Sequence, residues 1–130
     1  MRMRARCGLA LLVLAGSAMS CSSDGPIEIG VRYSRFDPAT LEAQAGVPVT
    51  FVVTNDDPIP HEFILGTVAE QLEHESGDDV THDGTPGAAS LAVGETETVT
   101  FTFDEAGEYQ YACHLEGHYA YGMFGTITVR

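Results

Sequence analysis

The chain has 130 residues, enough for one domain with a substantial core, and sets nineteen acidic side chains against six basic ones, none of them lysine. Its formal net charge of −13 repels nucleic acid and anionic headgroups, so ligands of either class are not expected.

Arg2, Arg4 and Arg6, followed by an apolar run from Gly8 to Met19, read as a secretion signal over residues 1–20; the run is short for a membrane span. Ala18-Met19-Ser20-Cys21 has the form of a bacterial lipoprotein cleavage box, which makes Cys21 a lipidation candidate, although Ala18 stands where such boxes most often carry Leu. The alternative is an ordinary signal peptide with an incidental cysteine. Residues 21–26 then form a flexible tether, and residues 27–130 the folded domain. The expected location is beyond the cytoplasmic membrane, at the cell envelope or periplasm, with membrane contact only through the lipid. Without the signal's arginines, three basic residues face nineteen acidic ones, a net of −16. Such a surface steers basic partners at low ionic strength, and solubility accounts for it equally well.

Period-2 alternation then recurs in short runs between turn residues. Ile27, Ile29, Val31 and Tyr33 form the first run; Val49, Phe51 and Val53 follow the turn at Gly46-Val47-Pro48. Leu41 to Gln44, His61 to Leu65 and Leu91 to Val93 are weaker strands, and Val99, Phe101 and Phe103 alternate with threonines. After Asp104-Glu105-Ala106-Gly107 come Tyr109, Tyr111 and Cys113, and Ile127 and Val129 close the chain. About eight strands of this kind predict an all-β sandwich with Greek-key connections. Thr67-Val68-Ala69-Glu70 has the capping-box form, so a short surface helix is predicted with Val68, Leu72 and Glu75 before Gly77. The acidic segment 66–87 otherwise reads as loop from Ser76 onward.

The chemistry concentrates in Cys113-His114-Leu115-Glu116-Gly117-His118-Tyr119-Ala120-Tyr121-Gly122-Met123. A thiolate, an imidazole and a thioether at C-x4-H-x4-M spacing select a soft ion, and copper suits them better than zinc, calcium or magnesium. One further imidazole would complete a His2Cys plane with a weak axial Met. Residues two apart on a strand share a face, so Tyr109, Tyr111 and Cys113 aim inward while His114 points away. His61 follows the turn from Asn55 to Pro60 and shares inward parity with Phe63 and Leu65; His74, His82 and His114 are its rivals for the second imidazole. His74 and His82 lie among Glu70, Glu73, Glu75, Asp78, Asp79 and Asp83, a cluster that is either a second metal site or a solvated acidic loop. Counting sulfur supports the same ion. With Cys7 in the signal and Cys21 lipidated, Cys113 has no disulfide partner, and metal ligation removes the liability of a lone thiol in an oxidising compartment. Met123 is the only methionine beyond the signal.

These residues, with Gly107 to Cys113, the closing Gly125-Thr126-Ile127-Thr128-Val129, Phe36-Asp37-Pro38-Ala39-Thr40-Leu41, and Gly46 through Asn55, resemble the cupredoxin family of small blue copper proteins, which includes plastocyanins and azurins. The resemblance runs from about Ile27 to the end and implies one copper ion held by His61, Cys113, His118 and Met123, cycling between Cu(I) and Cu(II). It also implies a non-enzymatic, monomeric carrier of single electrons. Redox partners, a basic cytochrome among them, would dock at an apolar patch near His118 supplied by Pro58, Ile59, Pro60, Tyr119, Ala120, Tyr121 and Phe124. The alternative is an extracytoplasmic copper-binding protein for trafficking or resistance; no Met-rich segment favours it. Segment 66–87 is more acidic than in the plainest members, which leaves room for an added role.

Overall fold

The structure is a computed structural model and describes residues 25–76 and 85–130. The signal, Cys21, and the loop residues Asp78, Asp79, His82 and Asp83 lie outside the described residues. Among the described residues the alternating runs become nine strands: β1 Ile27–Val31, β2 Phe36–Asp37, β3 Thr40–Ala43, β4 Pro48–Asn55, β5 His61–Thr67, β6 Ala88–Leu91, β7 Thr96–Thr102, β8 Gly107–Ala112 and β9 Phe124–Val129. The one helix among the described residues, α1 Val68–Glu75, follows β5 directly.

The strands form two sheets, ordered β2-β1-β4-β7 and β3-β9-β8-β5-β6. Both mix directions: β1 runs parallel to β4 and β3 parallel to β9, while the other pairs are antiparallel. Apolar residues of both sheets meet in one core, including Ile29, Val31, Phe51, Val53, Phe63, Tyr111 and Ile127, all at most 1% exposed. Each such side chain contributes about 1.5–3 kcal/mol through removal from water. Phe36 packs edge-on against Phe63 and Tyr111, so the aromatic layer spans the sandwich. Gly125 lets the Tyr111 ring lie against β9, where a Cβ would come within 2.1 Å of the ring. The Tyr111 hydroxyl donates to the carbonyl of Pro38, tying that layer to the turn before β3.

The structure corrects one sequence expectation, the strand at Leu91–Val93, and adds two features that the pattern did not specify. The ninth strand is β2, a two-residue pairing too short to show alternation. The strand placed at Leu91–Val93 runs instead from Ala88 to Leu91, because Val93 is 58% exposed and the chain turns at Gly94 with φ +76°. In α1 the buried residue is Gln71, while Val68 and Leu72 stay 44% and 57% exposed. The capping box itself forms as expected: Thr67 Oγ1 accepts from the Glu70 N–H, and the Thr67 N–H donates to Glu70 Oε2 at 2.6 Å. Such a cap contributes about 1 kcal/mol.

Candidate metal centre

Antiparallel pairing of β5 with β8, in which Ile64 opposes Ala112, brings the first residue of β5 beside the residue that follows β8. His61 and Cys113 therefore meet at one end of the sandwich although 52 positions separate them. The third participant, His118, returns on the loop from Cys113 to Met123. That loop is held by its own backbone: the His118 N–H donates to Leu115 O, the Met123 N–H to His118 O, and the Cys113 N–H to Met123 O. Gly117 and Gly122 provide its two left-handed positions, with φ of +83° and +88°.

The ligating atoms of His61, Cys113 and His118 all lie within 4.8 Å of one another. Cys113 Sγ is 3.3 Å from His118 Nδ1 and 3.9 Å from His61 Nδ1. For metal–nitrogen and metal–sulfur bonds of about 2.0–2.3 Å, the edges of a trigonal plane measure about 3.5–4.0 Å. The side chains thus stand close to the spacing that one small ion requires. Met123 lies in the same core cluster, fully buried, and its backbone closes the ligand loop. Cys113 is also fully buried and is the one free cysteine among the described residues.

Residues that the sequence reading did not single out hold this set in place. His61 Nε2–H donates to Asp57 Oδ2 at 3.0 Å, which fixes the tautomer and leaves Nδ1 to face the sulfur. Asp57 is itself fixed by the N–H groups of Tyr33 and Ser34, at 2.6 and 2.7 Å, and by Asn55, whose Oδ1 accepts from the Asp57 N–H. Asn55 Nδ2 reaches the carbonyls of Ile59, Leu91 and Ala92, so the turn before His61 is pinned from three directions. The D-x-x-x-H spacing inside a Pro-rich turn was the available signal for this pair.

Electrostatics follow the same arrangement. Burial would raise the Asp57 carboxyl, but the N–H groups of Ser34 and Tyr33 and the His61 ring hold it below the usual carboxylate value. Burial holds His61 below the usual imidazole value, with His118 adding to the effect and Asp57 opposing it, so at neutral pH the ring is neutral and its Nδ1 lone pair free. Burial pushes the Cys113 thiol up to about 11, against the N–H groups of Glu62 and Leu115; the Glu62 and Glu75 carboxylates add to the rise. Without a cation the sulfur therefore keeps its proton at neutral pH. The Glu62 N–H donates to Sγ at 3.3 Å, a contact that favours the anion once a positive ion compensates burial.

Among the described residues, the other histidines, His74 and His114, do not join this set. His114 points to the outer face of its sheet, where Nδ1 meets Glu75 Oε2 and Nε2 meets Gln71 Oε1, each at 2.7 Å. The His74 ring packs edge-on against it at 4.7 Å. Tyr119, expected in an apolar patch, is half-buried: its hydroxyl donates to Gln110 Oε1 and its ring stacks on His114. Ile59, Tyr121 and Phe124 are exposed by 42%, 79% and 38%.

Over residues 6–129 the sequence matches the cupredoxin-like domain family, and the chain belongs to that family. It is 39% identical over 100 residues to the copper-resistant cuproprotein CopI of Rubrivivax gelatinosus, an alignment covering 74% of this chain and 60% of that protein. The chloroplastic plastocyanin of Tetradesmus obliquus is 35% identical over 122 residues, covering 92% of this chain and 77% of the relative. Among solved structures, auracyanin A of Chloroflexus aurantiacus, a blue copper protein, superposes with a TM-score of 0.66 at 34% identity, covering 82% of this chain and all of the other. The chain thus spans 60% of the length of the Rubrivivax relative. The donor chemistry fits the group the family carries: the cofactor is copper, and one thiolate, two imidazoles and a buried thioether form a type 1 set.

Proposed function

We propose that His61, Cys113, His118 and Met123 hold one copper ion and that the protein carries single electrons outside the cytoplasmic membrane. The observation that carries this reading is the convergence of one buried sulfur and two Nδ1 atoms on a common point, with the His61 ring and the sulfur each held by a further hydrogen bond. Bound there, copper supplies one-electron exchange between Cu(I) and Cu(II). The chain's own contribution is rigidity. Asp57 holds the His61 ring, the Glu62 and Leu115 N–H groups face the sulfur, and the loop hydrogen bonds keep His118 and Met123 in register. A frame that holds the same positions in both oxidation states reduces the rearrangement that accompanies transfer. Burial of His61, Cys113 and Met123 keeps water from the ligands.

A hydrolytic role is disfavoured by the same residues. Cys113, His61 and Asp57 line up as thiol, imidazole and carboxylate, an order that nucleophilic enzymes also use. Here the thiol is fully buried and raised to about 11, the reverse of an activated nucleophile. Redox partners would approach over the exposed Ile59, Tyr121 and Phe124, and a basic partner would be drawn by the acidic surface.

The similarity to a copper-resistance cuproprotein supports a second reading, in which the same pocket stores or delivers copper. Repeated reduction and reoxidation in the presence of a Cu(I) chelator separates the two. The carrier reading predicts reversible cycling with copper retained, whereas loss of copper to the chelator on the first reduction would favour delivery.

A further inference from the structure

We propose that His114 is a positioning residue for the copper site, its ring clasped by Gln71 and Glu75 of α1 and stacked on Tyr119 of the ligand loop so that Cys113 is fixed from the outer face of the sheet. Alternation places the His114 ring opposite the sulfur, yet it is not a surface group: its side chain is 4% exposed. Nδ1 meets Glu75 Oε2 and Nε2 meets Gln71 Oε1, each at 2.7 Å. The Gln71 amide has one available orientation, because its Nε2 donates to the carbonyls of Ile64 and Gln110, on β5 and β8. Its Oε1 is therefore left to the histidine. Stacking on Tyr119, 4.8 Å between centroids, links the same ring to the loop that carries His118, and the Tyr119 hydroxyl returns to Gln110.

Glu62 closes the clasp around the peptide between Cys113 and His114. Its carboxylate accepts from the His114 N–H at 3.2 Å while its own N–H donates to Cys113 Sγ at 3.3 Å. A backbone rotation that carries the sulfur away must therefore disturb the His114 ring, α1 and Tyr119 together.

The way α1 packs argues that more than seating a helix is involved. Its exposed apolar residues, Val68 and Leu72, contribute little to the core, and its one buried residue is the glutamine that meets His114. Polar contacts of this kind add little net stability, but they fix direction where apolar packing does not. The acidic segment thereby acquires a role at the metal centre.

The inference rests on the four-ligand reading above, and its test has one arm that does not. In the metal-free protein, native-state alkylation of Cys113 by iodoacetamide reports how firmly the sulfur is held. His114→Ala, Glu75→Ala and Gln71→Ala are compared with Glu75→Gln, which keeps an acceptor for Nδ1, and with Val99→Ala in the opposite sheet as a stability control. The clasp predicts alkylation faster by about tenfold or more in His114→Ala and smaller increases in Glu75→Ala and Gln71→Ala, with Glu75→Gln near the parent. It also predicts Cu(II) affinity lower by about 10–100-fold in His114→Ala, with altered visible bands. Alkylation no faster in the α1 variants than in Val99→Ala, or a visible spectrum of His114→Ala that superimposes on the parent's, would overturn the proposal. If His114→Ala does not fold, the two α1 variants decide by the same criteria. A parent protein that takes up no copper would refute the ligand reading, while the alkylation arm would still judge the clasp.

Discussion

Asp57 shows how a residue that touches no ion governs the site. Its carboxylate takes the Nε2 proton of His61 and is itself held by the N–H groups of Tyr33 and Ser34, two non-glycine residues with φ of +55° and +51°. Backbone strain at this turn is accepted where a buried imidazole needs orientation. Asp57→Ala removes the acceptor, leaves a buried ring N–H without a partner and frees the ring to turn. Competition with a chelator should then show copper affinity lower by about 10–100-fold with the stoichiometry still one, and Asp57→Asn, which keeps an acceptor oxygen, should lose less. Undiminished affinity in Asp57→Ala would mean that the core alone orients His61. Cys113, His118 and Met123 were legible in the sequence because their spacing lies within one loop. The choice of His61 among four candidate imidazoles needed strand parity and family resemblance, and Asp57 was not singled out because an ordinary-looking acid in a Pro-rich turn gives no sign of burial. Glu62 and Gln71 were hidden for the same reason: polar residues read as solvated until a helix is known to cover them.

At the scale of elements, α1 and the β8–β9 pair make opposite demands on their residues. The helix depends on its cap. The N–H and hydroxyl of Thr67 hold the Glu70 carboxyl below its usual value. A carboxyl depressed in the folded state stabilises it above the unfolded pKa, and that contribution disappears as pH falls through the folded one. Glu70→Ala should accordingly lower stability by about 1 kcal/mol at neutral pH, with the difference from the parent shrinking in denaturant titrations once pH falls below the usual carboxylate range. A difference that persists undiminished at low pH would assign the effect to something other than the charged cap. The β8–β9 pair depends on an absence. With Tyr111 fully buried and a Cβ at Gly125 falling 2.1 Å from its ring, Gly125→Ala must displace the ring or the strand. A loss of about 1–3 kcal/mol in the denaturant midpoint is expected, and a neutral substitution would mean that the ring yields freely. The capping box was readable because four adjacent residues specify it. The helix's buried face was not, since Gln71 is polar and the apolar Val68 and Leu72 remain in solvent. Strand β6 was placed too far along the chain because Val93 has high strand propensity, while the residues that pair with β5, Ala88 to Leu91, are mostly small.

For the whole molecule, period-2 alternation sufficed to identify a sandwich, and the sheet order followed only from long-range pairing, which no local pattern encodes. The surface is governed by charge: six basic groups against nineteen acidic ones across the chain. A small cationic redox complex should therefore react with the copper-loaded protein faster at low than at high ionic strength, and an anionic complex should show the opposite trend, as exposed charges are screened beyond about 10 Å at 0.1 M salt. Equal salt dependence for both would remove steering from the account. The central claim is that one thiolate, two imidazoles and a thioether enclose a single copper ion. The visible and paramagnetic-resonance spectra of the copper-loaded protein, beside those of Cys113→Ser, test it most directly: the account predicts an intense sulfur-to-copper absorption with one copper per chain in the parent and none of that absorption in the serine variant, and the same intense band surviving in Cys113→Ser would contradict it.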